Sequence, residues 1–257
     1  MILPVFTLWR RELTRFFRQP SRIAGALATP LLFWLFMGSG LSGSFRLPGG
    51  PGLSYLEYFF PGTIVLVLLF AAIFSNISVI EDRHEGFLQG VLVAPVSRTA
   101  LVAGKVLGGA TLAWLQGVVF LALAPFSGIH LTATSTLEAA GVLALLAITL
   151  TSLGFFFAWK LDSVQGFHAI MNVVLLPMWL LSGAFFPVSG APRWLSALMR
   201  LNPLTYGVAT LRRVLYGPSA SLGSGLPGPA VSMVVTVALG LVCLAAGLVA
   251  TRGARVD

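Results

Sequence analysis

Residues 170–216 read IMNVVLLPMWLLSGAFFPVSGAPRWLSALMRLNPLTYGVATLRRVLY. The stretch opens as an apolar, membrane-crossing helix would. Pro177 then sits inside the run, Ser182-Gly183 and Pro187 follow it, and Pro192-Arg193-Trp194 comes next. Asn202-Pro203-Leu204-Thr205-Tyr206 and the pair Arg212-Arg213 complete the segment. Proline removes a backbone donor and glycine loosens a helix, so a helix that only has to cross a bilayer gains nothing from either. The pattern predicts a span that ends early and a chain that turns back into the outer leaflet. An amphipathic piece over 188–216 is expected at the surface.

Composition supports a membrane setting for this segment. Hydrophobic residues make up 57% of the 257 residues and charged residues 9%. A soluble domain carries about 25% charge, so this chain cannot clothe a water-exposed surface. An all-α polytopic membrane protein is expected. A β-barrel would alternate polarity in strands of about ten residues, whereas these apolar runs are long and continuous. A hydrocarbon core about 30 Å thick needs about 20 helical residues. Six stretches qualify, at 22–43, 58–80, 101–126, 137–159, 168–187 and 229–250, together forming one transmembrane domain over 1–257.

The formal charge of +8 does not point to nucleic acid, because the basic residues stand at the ends of apolar runs. There they set orientation. Eleven lysines and arginines fall on the side of the N-terminal arm and five on the other. Both termini are therefore expected in the cytoplasm. Four of the five contrary residues (Arg193, Arg200, Arg212 and Arg213) share one long segment, which the rule weights less. The arm before the first apolar run is longer than a signal-peptide n-region, so the run reads as an uncleaved span. Over 2–18 the arm sets Ile2, Val5, Phe6, Trp9, Leu13, Phe16 and Phe17 against Arg11, Arg15 and Arg18 at helical spacing. Such a helix suits the membrane interface. An anchor to membrane lipids and a docking surface for a cytoplasmic partner both fit it.

No acid or base falls near the middle of any proposed span; Glu57, Lys105, Glu138 and Lys160 lie close to ends. A central charge costs about 2.5–3.5 kcal/mol, which ion-coupled carriers accept because that charge does the coupling. His168 is the nearest candidate for such a role. Gly104-Lys105 is not a phosphate loop: Val106 stands where Ser or Thr would hold magnesium, and Thr99 where the leading glycine belongs. The single Cys243 excludes an intrachain disulfide and a cysteine metal site. Glu81, His84 and Glu85 match no metal spacing. The chain reads as no enzyme, and any uphill transport must draw energy from another subunit. Gly104 and Gly108 form a small-xxx-small pair suited to close helix packing.

Between spans two and three, Glu81, Asp82, Arg83 and Glu85 make a dense charge cluster. After Gly86, the residues Phe87, Leu88, Val91 and Leu92 recur at helical spacing, Pro95 should end the helix, and Ser97 should cap the next, which begins at Arg98. A short helix held between two spans is a lever. An interfacial turn with solvated charges is the other reading.

Three segments resemble the ABC-2-type transporter permease family, most of all its drug-efflux and nodulation-type exporter branch. They are Tyr55-Leu56-Glu57-Tyr58-Phe59-Phe60-Pro61-Gly62; the cytoplasmic loop with Glu85-Gly86, Ala94-Pro95-Val96-Ser97-Arg98 and Gly104-Lys105; and the opening stretch from Leu175 to Arg212. The resemblance implies a half-size permease paired with a second copy, as a homodimer, or with a close relative. It also implies separate ATP-binding subunits that would carry ATP and magnesium, with no cofactor in this chain. Residues 81–98 would be the coupling segment seated on the ATPase, through Glu81, Asp82, Arg83, Glu85, Gly86, Phe87, Leu88, Pro95 and Arg98. An interface helix would use Trp9, Arg11, Arg15 and Phe16, and a re-entrant motif Ser182, Gly183, Pro187, Pro203, Tyr206 and Arg212. The implied setting is the cell membrane, as a bacterial inner-membrane protein. The implied cargo is an amphipathic drug, a lipid-like molecule or a glycan. A self-contained carrier driven by an ion gradient would need an ionisable group inside the membrane. A lipid-modifying enzyme would need acids and histidines clustered at one interface.

Overall fold

A computed structural model of the chain describes residues 2–43, 53–217 and 228–252. Arg46 and Arg255, which entered the charge count, lie outside the described residues. The described helices are α1 (Ile2–Phe17), α2 (Pro20–Leu41), α3 (Tyr55–His84), α4 (Phe87–Val93), α5 (Arg98–Leu121), α6 (Ala133–Lys160), α7 (Val164–Trp179), α8 (Arg193–Leu201), α9 (Leu204–Tyr216) and α10 (Pro229–Arg252). No strand occurs among the described residues. Six helices are long and apolar enough to cross a membrane: Ile23–Leu41, Tyr55–His84, Arg98–Leu121, Ala133–Lys160, Val164–Ala184 and Pro229–Arg252. The chain is a multi-pass membrane protein.

Helix starts follow from the sequence. Ser54 and Glu57 form a capping box at α3, as Thr132 and Ser135 do at α6, while Ser97 and Ser163 accept backbone N–H groups at α5 and α7. Each satisfies donors that the first helical turn leaves unpaired. α5 stops at Leu121, short of the expected 126, because Pro125 opens a tight turn over Ala124–Ser127.

α3 is the axis of the fold. Of its most apolar 18-residue window 89% is buried, against 22% for α2 and for α10, which lie at the periphery. It packs against α2, α5, α6 and α7, and α10 closes the far side against α6 and α9. At about 1.5 Å per residue its 30 residues run about 45 Å, so one rigid element joins the two ends of the bundle.

α1 does not cross over the bundle; it runs beside α5 and in the same direction. A Cβ built on Gly104 would lie 2.6 Å from Leu8 Cβ, and one on Gly108 2.7 Å from Glu12 Cβ. Four residues onward on one helix match four on the other. Outside that register, Trp9 adds a polar tie by donating its indole N–H to Thr111 Oγ1 at 3.1 Å. The two glycines predicted to serve close packing are the floor on which α1 rests.

Candidate functional site

At one end of α3 the charges expected in solvent are folded inward. α3 runs on to His84, so Glu81, Asp82 and Arg83 belong to its last turn, before the loop. Asp82 is fully buried and accepts two hydrogen bonds from Arg11, at 2.8 and 2.7 Å, and one from Arg15 at 2.7 Å. Arg15 also reaches Glu81 at 2.8 Å. From α5, Lys105, only 2% exposed, donates to Glu12 at 2.6 Å and to Asp82. Ser78 closes the set by donating to Glu12 Oε2 at 2.7 Å. Three cations (Arg11, Arg15 and Lys105) thus face four acids: Glu12, Glu81, Asp82 and, at 3.6 Å from Arg15, the exposed Glu85 just beyond α3. Buried charge is tolerable only when paired and hydrogen-bonded in this way. The bonds to Asp82 raise the pKa of Arg11 above the ordinary arginine value.

The start of α4 is fastened to the body of the bundle. Gly86 adopts a left-handed conformation, φ +76°, which turns the chain sharply from α3 into α4. Arg11 lies over the Phe87 ring at 3.7 Å, a cation–π contact, and Leu88 is buried in the core. Two members of the expected coupling set therefore fasten α4 to the body. The outward face of α4 is Gln89, Gly90 and Val93, with Pro95 exposed beyond it. Arg83 faces the other way and closes the C-terminus of α6, donating to Trp159 O at 2.7 Å and Leu161 O at 3.1 Å and pairing with Asp162. Arg98 donates to Thr251 O, tying the start of α5 to the end of α10.

At the other end of α3 lies the break in α7. After Trp179 the helix widens into a π turn over Leu180–Ala184, and Gly183, φ +78°, takes a left-handed conformation. Such a turn frees carbonyls that a bilayer cannot hydrate, so protein groups must satisfy them. Asn202 donates to Met178 O at 2.6 Å and Thr205 to Leu181 O at 3.3 Å. Tyr58 donates to Gly183 O at 2.8 Å, Arg212 to the same oxygen at 3.1 Å, and Tyr55 to Phe185 O at 2.9 Å. Trp179 returns the link by donating to Gly62 O at 2.8 Å. Arg212 is buried over the Tyr58 ring at 4.2 Å, with no carboxylate pairing it among the described residues.

Ser182, Gly183 and Arg212 therefore meet at one place. Tyr206 stands a little apart, tying α9 to α8 through Arg200 O at 2.8 Å, and Pro187 and Pro203 flank the short helices without joining the cluster. In the arm, Trp9 and Phe16 pack toward α5 and the bundle, while Ile2, Phe6 and Phe17 remain exposed. Glu12, Ser78 and Lys105 had gone unrecognised as one set. The only signal was Glu12 sharing helical register with Leu8 and Phe16, which a count of arginines hides. Asn202, Thr205 and Tyr58 are legible only once α3 and α9 are seen to flank the break.

Residues 4–216 match the family model described as ABC-2 type transporter. The ycf38 protein of Cyanophora paradoxa is 30% identical over 227 residues, covering 87% of this chain and 77% of that protein. The daunorubicin resistance ABC transporter permease protein DrrB1 of Streptomyces coeruleorubidus is 24% identical over 250 residues, 95% of this chain and 80% of its own. The inner membrane transport permease YadH of Escherichia coli K12 is 26% identical over 212 residues, 80% of each chain. With six candidate spans and a family model matching residues 4–216, this chain belongs to the ABC-2 type transporter family.

Proposed function

We propose that this permease is the membrane-spanning subunit of an ATP-driven exporter, with hydrolysis carried out by a separate ATP-binding subunit docked on α4. The observation that carries this reading is the single path through α3. Its charged end turns directly into α4, and its other end supplies Tyr55, Tyr58 and Gly62 to the break in α7. A push on α4 cannot be absorbed locally, because Arg11, Arg15 and Lys105 lock α1 and α5 to the same turn. It therefore moves α3 as a rod and shifts the braces at the break. That is the mechanical requirement for alternating access. The relative named an ABC transporter permease supports the energy source. A second copy of the chain, or a close relative, completes the path, with both termini in the cytoplasm. The cargo is an amphipathic drug, a lipid-like molecule or a glycan.

The outward face of α4 gives the test. Val93→Asp and Gln89→Ala lie on exposed positions and leave the pinned residues intact. In detergent, the wild-type chain should co-purify with its candidate ATP-binding subunit. Val93→Asp should abolish the complex without changing the melting temperature of the free chain. A complex that survives both substitutions would remove α4 as the docking element.

A further inference from the structure

A cavity of about 640 Å³ runs along α1 on the side away from α5, and its charge is not balanced. Four arginines line it, Arg10, Arg11, Arg15 and Arg18, with Glu85 and Gln19 at its edges. Arg11 and Arg15 are engaged with Asp82, Glu81 and Glu85. Arg10 and Arg18 are exposed and have no carboxylate partner among the described residues. They stand eight residues apart, about 12 Å along the helix, so both can turn toward a group seated between them. Thr14, which lies midway, already donates to Arg10 O at 2.9 Å. The free donors in the cleft are therefore guanidinium N–H groups, which suit a phosphate. At one end the buried Gln19 Oε1 has no hydrogen-bond partner and would accept from a hydroxyl.

Two features give the ligand its source. The cleft ends at Arg18 and Gln19, and the first candidate span begins at Ile23, so its mouth lies at the membrane surface. The adjoining arc of α1 exposes Ile2, Phe6 and Phe17, which an aqueous partner would leave wet and acyl chains would cover. We propose that this cleft binds the headgroup of an anionic, hydroxyl-bearing phospholipid such as phosphatidylglycerol. Its phosphate sits between Arg10 and Arg18, its hydroxyl donates to Gln19, and its tails lie along α2. The inference rests on the membrane setting of the chain and not on the ATPase.

The full-length chain, purified in a neutral detergent, would be titrated with phosphatidylglycerol, phosphatidylcholine of the same tails, or inorganic phosphate. Melting temperature and native mass spectrometry would be read. Phosphatidylglycerol should stabilise the protein and remain bound one to one; phosphatidylcholine should do neither. Arg10→Gln and Arg18→Gln should each weaken the effect about fivefold, the worth of one arginine at an anionic surface, with lipid-free melting unchanged. Gln19→Leu should weaken phosphatidylglycerol but spare phosphatidic acid, which lacks the hydroxyl. Equal effects of the two zwitterionic and anionic lipids, or wild-type affinity in both arginine variants, would overturn the proposal. Displacement by millimolar inorganic phosphate would reassign the cleft to a soluble anion. Arginine dependence seen only when the ATP-binding subunit is added would reassign it to a protein face.

Discussion

Replacing Lys105 with methionine keeps most of the side chain's length, one heavy atom short, and removes its ammonium. That group bonds Glu12 at 2.6 Å and also reaches Asp82. Asp82 would keep Arg11 and Arg15, so it loses least. Glu12, 4% exposed and so shielded from solvent, would keep Ser78 and a 3.4 Å contact from Arg11. Removing one partner of a buried ion pair costs about 3–5 kcal/mol, and the contacts that Glu12 retains place this change near the lower figure. At about 2–4 °C per kcal/mol for a chain of this size, the melting temperature should fall by roughly 6–12 °C. Tryptophan fluorescence in detergent would follow it for Lys105→Met, Glu12→Met and the double variant. Exchanging both members for apolar groups is close to neutral, so the double variant should recover most of the loss, a coupling of about 1–3 kcal/mol. A Lys105→Met protein melting within about 2 °C of wild type, or a double variant equal to the sum of the singles, would refute the tie between α1 and α5.

Gly108→Leu places new atoms where Glu12 Cβ lies 2.7 Å from the ideal Cβ, and such overpacking costs about 1–3 kcal/mol. It should loosen α1, seen as faster tryptic cleavage at Arg10; unchanged cleavage would show that α1 is held elsewhere. Arg212→Met leaves Gly183 O with Tyr58 alone, so a cysteine at the 1% exposed Ser182 should become reactive to maleimide in a Cys243→Ala background. Continued protection of that cysteine would mean Arg212 does not brace the break. In the same cysteine-free background, Gly90→Cys should react with an impermeant reagent only from the cytoplasm and Trp194→Cys only from outside. The opposite pattern would invert the proposed orientation.

Much of the architecture is written locally. Each span needs only a run of apolar residues, the starts of α3, α5, α6 and α7 only a Ser or Thr at the right offset, and the turn into α4 only Gly86. These are nearest-neighbour properties, and a one-dimensional pattern carries them. The break in α7 was equally legible, since Pro177 and Gly183 disturb a helix whatever surrounds it. Its bracing was not: Asn202, Thr205, Arg212 and Tyr58 are 24 to 125 residues from the carbonyls of the break that they bond.

The charge cluster separates the two kinds of information most clearly. Read along the chain, Lys105 and Asp82 stand near span ends, where water is expected. Only the folded chain shows α1 laid along Gly104 and Gly108, covering both and bringing Glu12 between them. Burial depends on which helix lies over a residue, and the residue's own neighbours do not encode that. The sequence by itself thus determined that the chain crosses a membrane, where its helices begin and break, and which family it resembles. Tertiary structure alone decided which charges are locked together, because a pairing between helices exists only once packing has excluded the water that would otherwise compete for it.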